Sequence, residues 1–156
     1  MEVVADSLAI DIDAFLSRPL CCFLAQRGET GARVSPLWYL WEPDAETCWI
    51  IAQFRNRSYP ERVERHPESA VAVVDFAPHE GRLEHVGLRG AASLEPWDDA
   101  RADRLLRRYL GEDRSAWDEA FRGLDGEDYG FIRLAPATAV ARGYRYATGL
   151  GAGDES

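Results

Sequence analysis

Short runs of apolar, β-branched and aromatic residues, each closed by turn-forming residues, govern what this chain can become. They cover 20–26, 33–41, 47–54, 70–76, 83–94, 129–134 and 138–146. All are of strand length, and the punctuation between them is specific. Gly28-Glu29-Thr30-Gly31 separates the first two, and Glu42-Pro43-Asp44-Ala45-Glu46 the second from the third, so two consecutive hairpins are expected. Six or seven strands in all favour an antiparallel barrel over an open sheet. Helical periodicity interrupts them rarely. Residues 11–17 place Ile12 and Phe15 on one side of a short helix that stops before Pro19. After Pro96, Asp98 and Asp99 lead a longer helix in which Leu105, Leu106, Tyr109 and Leu110 recur at helical spacing up to Gly111. A shorter helix is expected over 115–121. The fold class is therefore mainly β, an α+β chain with a few flanking helices.

At 156 residues and 17.5 kDa the chain has the size of one domain, expected over 1–147. The Gly-rich, acidic stretch 148–156 reads as a disordered tail. No apolar run approaches the roughly 20 residues that span a bilayer. Twenty-seven acidic residues against eighteen basic ones give a net charge of −9, which argues against nucleic acid and anionic membranes as partners. Every one of those basic residues is arginine. Schiff-base and phosphate-loop lysines are therefore excluded, and any phosphate must be held by Arg, hydroxyls or backbone N–H groups. The N-terminus has neither a cationic start nor a long apolar core, which points to the cytoplasm. Cys21, Cys22 and Cys48 have neither disulfide nor zinc spacing and are expected as buried small hydrophobes. His66, His79 and His85 with Asp75 show no metal spacing, so no metal is expected.

Chemistry concentrates in three stretches. In the first, 52–67, a strand passes through an Arg-rich loop into a short helix. Ser58 and Glu61 stand at capping-box spacing, Pro60 is tolerated in a first turn, and Pro67 ends the segment, which puts the helix start at Ser58. N–H groups at such a start attract anions, and Arg55 and Arg57 just before it can add charge-assisted hydrogen bonds. An ordinary capped helix with solvated arginines fits the same residues. The second stretch, 33–41, carries Pro36, which cannot donate to a central ladder and so implies an edge or a bulge. A locally free backbone there can meet the edge of a planar heterocycle, whereas the plainer reading buries Trp38 or Tyr39 in the core. The third, 83–94, has Gly87 and Gly90 inside a strand pattern, the mark of a bulge, a bend or the approach of a ligand. His85 there is either a polar contact for that ligand or an ordinary strand histidine.

Taken in order, these stretches resemble the pyridoxamine 5′-phosphate oxidase-like superfamily, the flavin-binding split barrels, over about 15–146. The likeness rests on a start helix, the strand with Arg33, Ser35, Pro36, Leu37 and Trp38, a strand leading into a phosphate loop and helix, and a strand with a late Gly90-x-Ala92. It implies a homodimer holding FMN between its subunits and an oxidoreductase that passes hydride or electrons through the flavin to a small-molecule substrate. It further implies that Arg33 reaches the phosphate, that Ser35, Pro36, Leu37 and Trp38 run along the isoalloxazine edge, and that Val34 beside them also belongs to the cofactor site. Ala52 and Gln53 would flank the ring, His85 would lie near a polar flavin contact, and Arg55, Arg57 and Ser58 fall on the phosphate loop. The oxidase proper has an Arg-Lys pair where Ser58-Tyr59 stand here, and its substrate-binding C-terminal segment is matched only by Arg142 and Arg145. Fold and flavin thus carry over, the vitamin substrate does not, and no catalytic residue is assigned. Arg62 and Arg65 on the following helix are the next phosphate candidates. A deazaflavin coenzyme, or a non-enzymatic flavin- or haem-binding module, stays open as the alternative.

Overall fold

A computed structural model describes residues 1–55 and 58–150. The chain runs β1 (Glu2–Asp6), α1 (Ile12–Leu16), β2 (Cys22–Gly28), β3 (Gly31–Leu37), β4 (Leu40–Glu42) and β5 (Thr47–Gln53). It continues through α2 (Ser58–Arg65), β6 (Glu68–Ala77), β7 (Arg82–Pro96), α3 (Asp99–Leu110), α4 (Glu119–Arg122) and β8 (Tyr129–Arg145). The strands form one sheet in the order β3-β2-β6-β7-β8-β5-β4, antiparallel throughout, with β1 added in parallel to β8. Both expected hairpins are present, β2–β3 and β4–β5. Pro36 lies on β3, an edge of the sheet, where a strand can spare a donor.

Inward residues from strands far apart in the sheet meet in one core: Leu24, Ile50, Val71, Leu88 and Leu134 are all buried in the same cluster. The sheet must therefore curl around them, and since β3 and β4 do not pair with each other, the barrel is split. Between these edges the chain breaks at Trp38 and Tyr39. The Tyr39 N–H donates to the hydroxyl of Tyr109 on α3 (3.2 Å), and the hydroxyl of the fully buried Tyr39 donates to the Arg18 carbonyl (3.0 Å). A second cluster packs α3 on β4, β5 and β8 through Leu40, Trp49, Leu105, Leu106, Trp117 and Phe131.

Four expectations change. Eight strands form instead of six or seven, because the run 33–41 divides into β3 and β4 and because 2–6 is also extended. That short, largely exposed segment carries no turn signal of its own and owes its conformation to the free edge of β8. The runs 129–134 and 138–146 fuse into one 17-residue strand across Pro136. A bulge makes this tolerable: β7 shifts register between Arg89 and Gly90, and a Cβ at Gly90 would run into the Ala135 carbonyl. The helix expected over 115–121 is broken into a 3₁₀ turn, Arg114–Ala116, and α4. Asp113 and Asp118 each cap a turn, so the segment starts twice, with Trp117 buried between. Finally, Cys22 and Cys48 are buried, but Cys21 is exposed because it precedes the inward alternation of β2.

Candidate anion and cofactor site

The β2–β3 hairpin and α2 enclose a cavity of about 380 Å³. Arg27, Arg33, Arg62 and Arg65 line it, against the carboxylates of Glu29 and Glu61, which leaves a local excess of two positive charges in a chain of net charge −9. The helix period explains the convergence. Pro60 and Val63 of α2 are buried against the sheet, so Ser58, Arg62 and Arg65, spaced i, i+4, i+7, share the side turned to the hairpin.

Most of the wall is already bonded into a defined shape. The Arg62 Nη2 donates to Ser58 Oγ (2.6 Å) and its Nη1 to Gln26 Oε1 (3.4 Å). Gln26, buried on β2, donates from Nε2 to the Tyr59 carbonyl (2.9 Å). Arg33 donates to Thr30 Oγ1 (2.8 Å) and to the Ala32 carbonyl (3.0 Å), which folds its guanidinium back over the hairpin turn. Arg65 is ion-paired with Glu29. Arg27 has no hydrogen bond or ion pair among the described residues. The donor set, guanidinium groups and hydroxyls at the first turn of a helix, suits a phosphate monoester.

Of the residues singled out from the sequence, Arg33 and Ser58 come together here. Arg55 does not join them: its Nε lies 3.0 Å from Asp128 Oδ1, outside the cavity wall. Arg57 lies outside the described residues. Trp38 stacks on Tyr109 (centroids 4.6 Å apart) and on Phe121 (5.2 Å). With Leu37, Ile51 and Tyr129 it borders an apolar pocket of about 320 Å³. Ala52 is buried and Gln53 half-buried on β5, paired with Gly130 and Tyr129. Ser35 is half-buried, whereas Val34 and Pro36 face outward.

The outward face of the sheet forms a second feature. One cross-strand row runs Pro36, Phe23, Ala72, Gly87, Val140; the next runs Val34, Ala25, Ala70, Arg89, Thr138. Alanines and Gly87 make a low floor between the exposed Phe23 and Val34, and a Cβ at Gly87 would meet only the Val140 carbonyl, at 4.0 Å. This cleft, about 600 Å³, also holds His85, Arg89 and Arg142, with no carboxylate in its lining.

Sequence reasoning passed over Gln26, Arg27 and Thr30. Gln26 did carry a signal, since it stands in phase with Cys22 and Leu24 and so points a polar amide inward, where it must find partners. Arg27 and Thr30 carried none, because only the fold brings the hairpin onto α2.

No family model matches the chain, and no curated protein matches its sequence. Solved structures do. A Listeria innocua protein assigned as a pyridoxamine 5′-phosphate oxidase superposes with a TM-score of 0.62 at 18% identity, over 83% of this chain and 94% of that one. An F420 reductase reaches 0.65 at 23%, covering 85% and 98%. The fold is that of the pyridoxamine 5′-phosphate oxidase-like split barrels. A FAD-binding protein from Mesorhizobium loti gives 0.58 at 17%, over 90% and 96%. Among the described residues, no helix of this barrel is long and apolar enough to cross a membrane, and no group of acidic, His or Cys side chains converges as metal ligands.

Proposed function

We propose that this split barrel binds FMN and serves as a flavin-dependent oxidoreductase on a small-molecule substrate. The observation that carries the reading is the lysine-free cavity at the start of α2, whose excess of two positive charges matches the charge of about −1.5 to −2 on a phosphate monoester. Arg33, Arg62 and Ser58 would hold the phosphate, with Arg27 free to close over it. Two neighbours of the same fold are named for F420 and FAD, which supports a cofactor of this class. A bound flavin supplies hydride or electron exchange, and the chain supplies position and field. Ser35 of β3 and Gln53 of β5, both half-buried, would orient the ring.

The outward face supports a homodimer. Phe23 and Val34 stand exposed over a floor of small residues, an apolar surface that a second copy would cover. Its cations then face a flavin or acidic groups of the partner. Three free thiols suit a reducing cytoplasmic setting.

Calorimetric titration with FMN tests the reading. One FMN bound per subunit is expected, and no heat of binding at micromolar protein would overturn it. A deazaflavin coenzyme is the second reading, favoured by the likeness to an F420 reductase and by the arginines in excess of what one phosphate needs. The absorption spectrum of the copurified cofactor separates the two.

A further inference from the structure

The Arg62 guanidinium is bonded to a buried amide on the neighbouring strand. Gln26 is only 4% exposed, and its two ends are committed in opposite senses. Nε2 donates to the Tyr59 carbonyl in the first turn of α2, and Oε1 accepts from Arg62 Nη1. The reversed amide would set an NH₂ against a guanidinium and an oxygen against a carbonyl, so only one orientation satisfies both partners. From Arg62 the chain of bonds continues to Ser58 Oγ. One side chain thus fixes β2, the start of α2 and the cation between them.

We propose that Gln26 is a positioning residue that aims Arg62 at the anion while leaving its charge unspent. This rests on the reading that the cavity takes a flavin phosphate. The chemical point is that the acceptor is neutral. A carboxylate at position 26 would reach the same guanidinium, pair with it, and cancel the charge the phosphate needs. An apolar side chain would take away both the neutral acceptor that meets Arg62 and the donor that meets the Tyr59 carbonyl. An amide alone directs without neutralising.

The test compares FMN with riboflavin, which lacks the phosphate, by fluorescence titration of the intact protein. Gln26→Glu is expected to weaken FMN about 10- to 100-fold and leave riboflavin unchanged, because only the phosphate meets Arg62. A purely structural role would move both ligands together. Gln26→Met, in a cycle with Arg62→Met, gives a second measure. If Gln26 acts through Arg62, adding Gln26→Met to the Arg62→Met protein changes the FMN-to-riboflavin preference no further. A Gln26→Glu protein that keeps the parental preference overturns the proposal. So does a cycle in which the two effects simply add, and this arm decides should Gln26→Glu not fold. A parent that binds FMN no better than riboflavin shows instead that the phosphate reading has failed, and the role of Gln26 falls with it.

Discussion

At the scale of single residues, the cavity beside α2 ranks its arginines. Arg33 and Arg62 border it and are held by hydrogen bonds within it, whereas Arg55 faces Asp128. Replacing Arg33 or Arg62 by Ala should each weaken FMN about 10- to 100-fold, the value of one charge-assisted hydrogen bond of roughly 1.5–3 kcal/mol. Arg55→Ala should stay within about twofold of the parent. Equal losses from all three, measured by fluorescence titration, would place the phosphate elsewhere. How much of this was legible differs residue by residue. The start of α2 was, because Ser58, Pro60 and Glu61 are local signals whose meaning does not depend on the rest of the fold. The spacing of Ser58, Arg62 and Arg65 was visible too, but which helix face meets the hairpin depends on Pro60 and Val63 docking on a sheet not yet assembled. Trp38 showed the limit most clearly. Its partners Tyr109 and Phe121 lie more than 70 residues on, and nothing near position 38 announces them.

At the scale of elements, one ionic cluster joins three of them. Asp75 on β6 accepts from Arg18, just after α1 (2.7 Å), and from Arg82 at the start of β7. Glu84 adds a buried carboxylate, bonded by Arg145 of β8 at 2.7 Å. Burial pushes the Asp75 carboxyl up, but the hydrogen bonds and charges of Arg18 and Arg82 outweigh it and hold the group below its ordinary value of 3.8. A group depressed in the folded state stabilises it above the unfolded value, and that contribution is lost as pH falls through the folded one. The parent should therefore lose stability steeply below about pH 4. Asp75→Asn should lower stability at neutral pH and flatten that acid limb, as urea denaturation across the range would show. Parallel curves for the two proteins would remove Asp75 from the account. The strands of this region were read correctly from alternation, since 70–76 and 83–94 lie within β6 and β7. The pairing of Asp75 with Glu84 was not, because opposing two acids across a ladder makes sense only once the arginines are in place.

At the scale of the whole molecule, the exposed outward face is the surface on which the proposed homodimer rests. Light scattering should report about twice 17.5 kDa. Phe23→Glu, which sets a charge in the middle of that face, should return a monomer while the core cluster on the other side of the sheet stays intact. A variant that remains dimeric would move the interface to another surface.

The arrangement of β8 also bears on how the molecule is made. It pairs with β1, β5 and β7, and among the described residues no other strand links the β4–β5 hairpin to the β3-β2-β6-β7 group. During synthesis, everything up to residue 128 can emerge and still leave two disconnected pieces of sheet with open edges. The barrel can curl shut only when the strand translated after α4 arrives and threads between them. Closure is thus a late, non-local event, slow compared with the formation of either hairpin. Until then the nascent chain exposes the unpaired edges of β5 and β7, the strands most in need of protection from other chains.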